Sequence, residues 1–257
     1  MIHPTAVIDP AAKLAADVEV GPYSVIGAEV EIAEGTWIGP HVVIKGPTRI
    51  GRNNKIYQFA SVGEDCQDKK YKGERTFLEI GDNNVIREFV TIQRGTIQDN
   101  SLTQIADGCL IMNYTHIAHD CVVGDNCVIA NGTQLAGHVH LSNNVIIGGL
   151  SAIHQFCHVG PYVMIGGGTM IRNDVPAFVM AVGNPGVARG MNYEGMKRNG
   201  LPKAVISQLR KAYKLVYQSE MTVQKSVEEM ESWNFDSEHL NLFIESIKAS
   251  SRGILPE

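Results

Sequence analysis

Aliphatic residues recur at every sixth position over most of the chain. Eleven consecutive positions from Ile2 to Val62 follow this step, three more run from Ile80 to Ile92, and twelve run from Ile105 to Ile171. A period of six is neither the 3.6 of an amphipathic helix nor the 2 of a half-buried strand. It predicts a solenoid of short straight faces, each turning one aliphatic side chain inward. Three such faces would close one coil of about eighteen residues.

The positions around each aliphatic residue are also biased. The next residue is often Gly, as at Gly21, Gly148 and Gly160, and we expect these glycines to supply left-handed backbone at the corners. Asn and Asp crowd the same turns, for example at Asp82-Asn83-Asn84. The residue two before the aliphatic one is mostly small or β-branched. The pattern resembles the hexapeptide-repeat acyltransferases, which implies a left-handed parallel β-helix.

The periodicity divides the chain into two parts. The predicted fold is an all-β left-handed parallel β-helix over residues 1–185, followed by a small C-terminal α-helical domain over 186–257. Loop insertions interrupt the repeat at about 64–77 and 93–104. Hydrophobic residues at helical spacing predict helices over Pro202–Gln218, Thr222–Trp233 and Ser237–Ser250. We expect the helical domain to cap one end of the coil and to mask a strand edge.

Composition narrows the class of protein. The chain has 257 residues, 44% of them hydrophobic and 19% charged, with a net charge of −5, which is typical of a soluble domain and argues against general nucleic-acid binding. No apolar run approaches the length of a membrane span. The repeat begins at Ile2, which leaves no room for a signal peptide, so we expect a cytoplasmic protein.

The five cysteines are interpreted as structural. Four of them occupy the small position two before an aliphatic residue: Cys109, Cys121, Cys127 and Cys157. A thiol acts there as a small apolar group. Cys66 lies outside the repeat. We predict neither a disulfide nor a zinc cluster among them.

One stretch after the repeat is strongly basic. From Met196 to Gln218 there are six basic residues and no acidic one. Four of the six fall at helical spacing on one side of the predicted helix Pro202–Gln218: Lys203, Arg210, Lys211 and Lys214. The pattern fits either an ordinary solvated helix face or a binding site for an acidic macromolecule.

Four of the histidines lie close to the same aliphatic position in successive coils of the repeat. Three aliphatic residues eighteen positions apart stack on one face: Ile117, Leu135 and Ile153. Four histidines lie beside them in sequence: His116, His119, His138 and His154. Coils separated by about 4.8 Å would bring these imidazoles into one site. Imidazoles so placed suit metal binding or general base catalysis.

Several motifs carry a more specific resemblance. They are His116-Ile117-Ala118-His119-Asp120-Cys121, Ala136-Gly137-His138, Ile153-His154-Gln155-Phe156-Cys157, Gly183-Asn184-Pro185, Gln67-Asp68-Lys69-Lys70-Tyr71 and Asn192-Tyr193-Glu194-Gly195-Met196-Lys197-Arg198. Together they resemble the acyl-carrier-protein–UDP-N-acetylglucosamine O-acyltransferases, over essentially the whole chain. That family transfers a 3-hydroxyacyl chain from acyl carrier protein to the 3-hydroxyl of UDP-N-acetylglucosamine, the first step of lipid A biosynthesis.

The resemblance implies a role for each matching residue. His119 matches the general base, Asp120 its orienting carboxylate, and the backbone N–H of Gly137 the oxyanion donor, while His138 beside it contacts the sugar. The matching substrate-binding residues are Asp68, Lys70, His116, His154, Gln155, Asn192, Glu194 and Arg198. Gly167 matches the position that reads acyl-chain length, and Gly there predicts a longer donor. Relatives often carry a second basic residue where this chain has Asn199, which weakens a two-arginine phosphate clamp.

Partners follow from the same resemblance. The family works as a homotrimer with active sites between subunits. It needs no metal and no cofactor, because the acyl chain arrives on the phosphopantetheine of acyl carrier protein. That carrier is acidic, so the basic residues Lys203, Arg210, Lys211 and Lys214 are the candidate contacts for it.

Four alternatives remain open on the sequence. A zinc-dependent carbonic anhydrase of the γ type shares the coil, the trimer and the interface histidines, but lacks the helical tail. The N-acyltransferase of the same pathway carries an extra N-terminal domain. An acetyl-coenzyme A–dependent transferase would not need the basic helix. A purely structural coil would not need four histidines on one edge.

Overall fold

A computed structural model describes residues 1–233 and 237–257. It contains twenty-seven short strands and four helices within these residues. The strands are β1 Val7–Ile8, β2 Lys13–Leu14, β3 Glu19–Val20, β4 Val25–Ile26, β5 Val30–Ile32, β6 Trp37–Ile38, β7 Val43–Ile44, β8 Thr48–Ile50, β9 Lys55–Ile56, β10 Ser61–Glu64, β11 Phe77–Ile80, β12 Val85–Ile86, β13 Thr91–Gln93, β14 Leu102–Ile105, β15 Leu110–Ile111, β16 His116–Ile117, β17 Val122–Val123, β18 Val128–Ile129, β19 Gln134–Leu135, β20 His140–Leu141, β21 Ile146–Ile147, β22 Ala152–Ile153, β23 His158–Val159, β24 Met164–Ile165, β25 Met170–Ile171, β26 Val179–Val182 and β27 Val187–Met191. The helices are α1 Tyr193–Arg198, α2 Lys203–Tyr217, α3 Val223–Glu231 and α4 Glu238–Lys248.

Up to β25, each strand pairs in parallel with the strand three places later in the chain, which makes three sheets. The first face contains β1, β4 and so on to β25, the second face runs from β2 to β23, and the third face runs from β3 to β27. The sheets wind as the left-handed parallel β-helix that the resemblance implies. We call the turns from the first to the second face the first corner. Those from the second to the third face form the second corner, and those from the third back to the first face form the third corner.

The inward aliphatic row forms the core of the coil. From Val20 to Ile171 these side chains are buried, whereas Ile2 is half exposed and Ile8 and Leu14 are partly exposed. Within residues 1–233 and 237–257 no other coil covers the outermost one, so its aliphatic residues are accessible to water. Cys109, Cys121, Cys127, Cys157 and Cys66 are all buried free thiols.

Most of the corner glycines have a different role from the one that the sequence suggests. Among those that follow an aliphatic residue, Gly21 and Gly148 have no left-handed backbone. A Cβ on Gly21 would lie 2.7 Å from the carbonyl carbon of Gly39, and one on Gly148 would lie 2.4 Å from the nitrogen of Gly167. These glycines therefore allow successive coils to approach. The left-handed residue comes two positions later, as at Asn53 (φ 54°), where Asn and Asp were expected.

Both loop insertions leave the first corner. Partners on the first face are 18 residues apart in an ordinary coil, as in Val25↔Val43. The separation rises to 30 residues in Ser61↔Thr91 and to 25 residues in Thr91↔His116. The loops outside the strands are 65–76 and 94–101. The second is shorter than the sequence suggests, because Leu102–Gln104 belong to β14.

The helices close the C-terminal end of the coil. Strand β27 pairs antiparallel with β26, and α2 contacts β27. The buried carboxylate of Asp174 accepts hydrogen bonds from Ser250, Ser251 and Arg252, which ties the end of the chain to the last coil. No helix of the described residues combines the length and hydropathy needed to cross a lipid bilayer.

Candidate active site

The first corner collects several of the polar residues that the sequence singles out. His119 and Asp120 lie in the turn between β16 and β17, and Gly137 and His138 lie in the next turn above them. Strand pairing between His116 and Gln134 sets this stacking. The ring of His119 meets the ring of His138 edge to face, with centroids 5.0 Å apart. The phase of the aliphatic row is thus enough to bring these residues together.

The carboxylate of Asp120 contacts the His119 ring. The Nδ1 atom of His119 lies 2.8 Å from Oδ2 of Asp120. The Asp120 side chain is fully buried, while that of His119 is 14% exposed. An imidazole that donates its Nδ1–H to a carboxylate keeps the lone pair of Nε2 free when it is neutral. The pair can therefore accept a proton at Nε2 and stabilise the resulting cation.

The second loop holds the other sites of the Asp120 carboxylate. The backbone N–H of Thr96 donates to Oδ1 at 2.8 Å, and its hydroxyl donates to Oδ2 at 2.6 Å. Burial alone would raise the pKa of Asp120, but hydrogen bonds from His119 and Thr96 and the nearby charge of His138 bring it below its usual value. The carboxyl group is consequently ionised at neutral pH.

Gly137 provides the space in which the His119 ring lies. A Cβ at this position would lie 2.5 Å from Cε1 and 2.6 Å from Nε2 of His119. The Gly137 N–H meets no acceptor in the part of the chain that the structure describes. An N–H donor therefore stands free beside the basic nitrogen, which is the arrangement that a developing oxyanion requires.

His138 and His116 flank this pair. His138 Nδ1 lies 2.9 Å from Asp99 Oδ2 of the second loop, and its ring stacks on Phe156 at 4.4 Å. His116 Nδ1 lies 2.7 Å from the hydroxyl of Thr91. Burial, followed by the charge of His119, lowers the pKa of His116. A neutral His116 suits a hydrogen bond to an uncharged polar group.

The first loop lies at the same corner. Asp68 accepts a hydrogen bond from the backbone N–H of Lys70 at 2.9 Å, and Lys70 is exposed. Burial raises the pKa of the neighbouring Cys66 thiol, and the charge of Asp120 contributes to the same shift. His154 and Gln155 are exposed in the next turn beyond His138. Lys70, His154 and Gln155 therefore face the solvent at the first corner.

The predicted nucleotide residues lie elsewhere on the same chain. Asn192 caps α1 by accepting from the N–H of Gly195 at 2.9 Å, and it donates to the carbonyl of Tyr162 at 3.0 Å. Tyr162 belongs to the second corner. Glu194 is exposed and pairs with Lys197 at 3.0 Å. Arg198 ends the same helix and is exposed. One chain therefore does not bring α1 to the first corner.

Gly167 and the basic helix occupy two further surfaces. Gly167 lies at the third corner, where a Cβ would approach only Gly149, at 3.3 Å from its carbonyl oxygen. On α2, Lys203, Arg210 and Lys214 are exposed and make no ion pair within residues 1–233 and 237–257. The ammonium of Lys211 instead lies 4.2 Å from the centre of the Trp233 ring.

Sequence reasoning missed the contribution of the second loop. Thr96, Asp99 and Arg94 have no motif of their own. The sequence does contain information on where this loop lies, however, because Val62 and Ile92, which precede the two loops, share the first face with Ile117. Counting coils by this row would have placed both loops on the histidine corner.

Metal binding is the other chemistry that this cluster could support. Ligand atoms of His119, Asp120 and His138 all lie within 4.8 Å of one another. The Nδ1 of His119 and both oxygens of Asp120 already have partners. An ion bound to Asp120 would have to displace one of them. The geometry therefore favours a proton-transfer pair over a metal centre.

Comparison with known proteins identifies the family. Residues 174–255 match the family described as UDP N-acetylglucosamine O-acyltransferase, domain 2, and residues 29–64 and 102–137 match the bacterial transferase hexapeptide family. The acyl-[acyl-carrier-protein]–UDP-N-acetylglucosamine O-acyltransferase of Stutzerimonas stutzeri is 56% identical over 254 residues, covering 99% of this chain and 98% of its own. This chain belongs to that O-acyltransferase family.

Solved structures of the family share the whole fold. The LpxA structure from Acinetobacter baumannii has a TM-score of 0.94 and 53% identity, with 99% of each chain covered. The UDP-N-acetylglucosamine acyltransferase of Francisella novicida has a TM-score of 0.97 and 36% identity, covering 100% of this chain and 94% of its own. The protein is accordingly an acyltransferase, as its sequence motifs predicted.

Proposed function

We propose that this acyltransferase moves a 3-hydroxyacyl group from acyl carrier protein to the 3-hydroxyl of UDP-N-acetylglucosamine, in the first step of lipid A biosynthesis. The observation that carries the proposal is the free Nε2 of His119 beside the free N–H of Gly137. The named substrates are those of relatives that match over nearly the full chain.

His119 acts as the general base in this reaction. Its Nε2 takes the proton of the sugar hydroxyl while the hydroxyl oxygen attacks the thioester carbonyl carbon. The tetrahedral oxyanion accepts a hydrogen bond from the Gly137 N–H. One donor of this type contributes a factor of about 10²–10³ to the rate. When the C–S bond breaks, the imidazolium returns its proton to the departing phosphopantetheine sulfur. Asp120 stabilises the imidazolium through Nδ1.

The remaining polar residues of the first corner bind the substrate. His138, held by Asp99, faces the sugar together with His116, His154 and Gln155. Asp68 and Lys70 contribute from the first loop. No group other than these side chains is needed for the proton transfers, since the acyl chain is delivered on the carrier's own phosphopantetheine.

The nucleotide end of the substrate requires a second copy of the chain. Asn192, Glu194 and Arg198 lie by the second corner, whereas His119 lies at the first. We infer a homotrimer in which α1 of one subunit completes the site of the next. The exposed guanidinium of Arg198 suits a phosphate of the nucleotide.

The surface at Gly167 selects the length of the acyl chain, and the basic surface of α2 binds the acyl carrier protein. A side chain at Gly167 would project away from the coil, since only Gly149 stands near its Cβ position. With Gly there the groove accepts a longer acyl chain. Lys203, Arg210 and Lys214 fall within about 40° of one another around α2 and would meet the acidic carrier. Lys211 lies beside this row.

The decisive experiment combines substrates with a base-less variant. Purified protein is incubated with UDP-N-acetylglucosamine and 3-hydroxyacyl–acyl carrier proteins of several chain lengths, alongside His119→Ala and, as a control, His3→Ala at an exposed site. Acylated sugar nucleotide is expected from wild type and His3→Ala. His119→Ala should lose about 10²–10⁴ in rate, the usual worth of a general base.

Two results would contradict the proposal. Full activity of His119→Ala would remove the assigned base. Absence of product with every donor, together with one tightly bound zinc ion per chain and carbon dioxide hydration, would favour the γ-type carbonic anhydrase chemistry instead.

A further inference from the structure

Thr96 is a buried polar residue of the second loop that the proposed reaction does not yet use. Its exposure is 1%, although it belongs to a loop whose tip, residues 97–100, is open to solvent. Both of its hydrogen-bond donors end on one carboxylate, that of Asp120. A loop residue that is buried with all donors on a site carboxylate has more than a space-filling role.

The contacts form a continuous chain to the basic nitrogen. The Thr96 hydroxyl and His119 Nδ1 share the same oxygen, Oδ2 of Asp120, at 2.6 and 2.8 Å. The Thr96 N–H holds the other oxygen, Oδ1, at 2.8 Å. The backbone of Asp120 is left-handed, with φ 57°, and its N–H donates to the hydroxyl of Thr103 at 2.8 Å.

A carboxylate rotates easily about its terminal bond unless hydrogen bonds fix its oxygens. Rotation about the terminal bond of Asp is broad and roughly two-fold. The plane of the Asp120 carboxylate decides where His119 Nδ1 binds, and hence where Nε2 points over Gly137. With two donors from Thr96 the plane is fixed independently of His119. With the backbone N–H alone, the His119 ring would be the one remaining hydrogen-bond partner of Oδ2 among the described residues, and the ring and the carboxylate could turn together.

We propose that Thr96 is a positioning residue that sets the Asp120 carboxylate and, through it, the His119 base. The inference rests on the proposed role of His119. It assigns to the second loop a function in the chemistry rather than in substrate contact alone.

The anchoring of the second loop supports this role. Arg94, two residues before Thr96, is buried and pairs with Asp65 of the first loop, and it also donates to the hydroxyl of Tyr71 at 3.2 Å. Between them, Gly95 packs so closely that a Cβ would lie 2.2 Å from the nitrogen of Leu102. Thr96 is therefore held on a short rigid segment, and its hydroxyl cannot follow a moving carboxylate.

The test compares Thr96→Val with Thr96→Ser. Valine keeps the shape and the backbone N–H but removes the hydroxyl, while serine restores it. Thr96→Val should lower kcat about 10-fold, the usual effect of losing one hydrogen bond to a charged group. The KM for UDP-N-acetylglucosamine should change less than about 2-fold, and Thr96→Ser should stay within about 3-fold of wild type. Thr133→Val, at an equally buried threonine away from the loops, is the matched control.

A double-mutant cycle with Asp120→Asn distinguishes an effect of Thr96→Val on the Asp120 carboxylate from a general effect on folding. If Thr96 acts through the Asp120 carboxylate, Thr96→Val should cost less than about 2-fold in the Asp120→Asn background. A full additional 10-fold loss there, or wild-type kcat for Thr96→Val alone, would overturn the inference. Neither result touches the proposed function, whose own failure would show as activity in His119→Ala.

Discussion

The first and third corners of the coil use the same backbone for different purposes. At the third corner the left-handed position of successive coils carries Tyr23, His41, Phe59, Phe89 and Tyr114, with φ between 55° and 64°. Their rings form one continuous stack, with centroids 4.9–5.4 Å apart. At the first corner the same position carries Asp120 and His138, with φ 57° and 61°.

The difference between the corners lies in what surrounds the left-handed residue. The aromatic side chains of the third corner contact one another and are 42–60% exposed for Tyr23, Phe59, Phe89 and Tyr114. Asp120 and His138 instead receive hydrogen-bonding partners from the loop 94–101. The corner backbone is therefore a general scaffold, and the loops convert one of its three edges into a site.

The largest effect should come from closing the space beside His119. In Gly137→Ala the added methyl group would lie 2.5 Å from Cε1 of the imidazole, so the ring must move. A displacement of about 1 Å in a catalytic group costs about 10² in rate. We expect kcat to fall by at least this factor, as measured with the carrier-linked donor.

Gly27→Ala provides the control for that substitution. Gly27 occupies a first-corner turn near the N-terminus, where a Cβ would lie 3.3 Å from the carbonyl oxygen of Ile44. Its activity should remain near wild type. Equal losses in both variants would mean that the coil, and not the His119 ring, is sensitive to the methyl group.

The sequence predicts the coil far better than the site. Because each aliphatic residue of the row must be buried, the period alone defines the faces, and the histidine phase follows from it. The contacts of Thr96 and Asp99 depend on the path of an irregular loop, which no periodicity describes. The glycines were misinterpreted for a related reason, since a repeat shows where a residue recurs but not whether φ or a neighbouring coil requires it.

A smaller effect, on stability alone, is expected at the third corner. Phe59 stacks on His41 at 5.4 Å and on Phe89 at 5.0 Å. Each aromatic pair contributes about 0.5–1.5 kcal/mol beyond its buried area, so Phe59→Ala should lower the free energy of unfolding by about 1–3 kcal/mol. Urea unfolding at fixed protein concentration measures this, because association would otherwise shift the midpoint.

The activity of Phe59→Ala should stay within about 2-fold of wild type at a temperature where it is folded. Phe59→Leu, which keeps bulk without a stacked ring, should lose less stability. A large drop in kcat in the folded Phe59→Ala protein would show that the aromatic stack and the first corner are not functionally separate.

The smallest effect concerns the pH dependence of stability beside the first corner. His140 and His158 are cross-strand neighbours on the second face, with ring centroids 4.6 Å apart. Burial, and then the charge of His158, lowers the pKa of His140 in the folded protein. In the unfolded chain an imidazole has a pKa of about 6.5. Below that pH the unfolded chain binds more protons than the folded one, so the free energy of unfolding should fall as the pH drops.

Above about pH 7.5 both states hold neutral His140, and this contribution vanishes. His140→Asn should therefore reduce the loss of stability between pH 7.5 and pH 5.5, measured by urea unfolding of both proteins. His158→Asn should reduce it less, because it removes the second cause of the shift and leaves burial in place. An unchanged pH dependence in His140→Asn would assign the acid sensitivity to other groups, with half-buried His116 at the edge of the first corner as the next candidate.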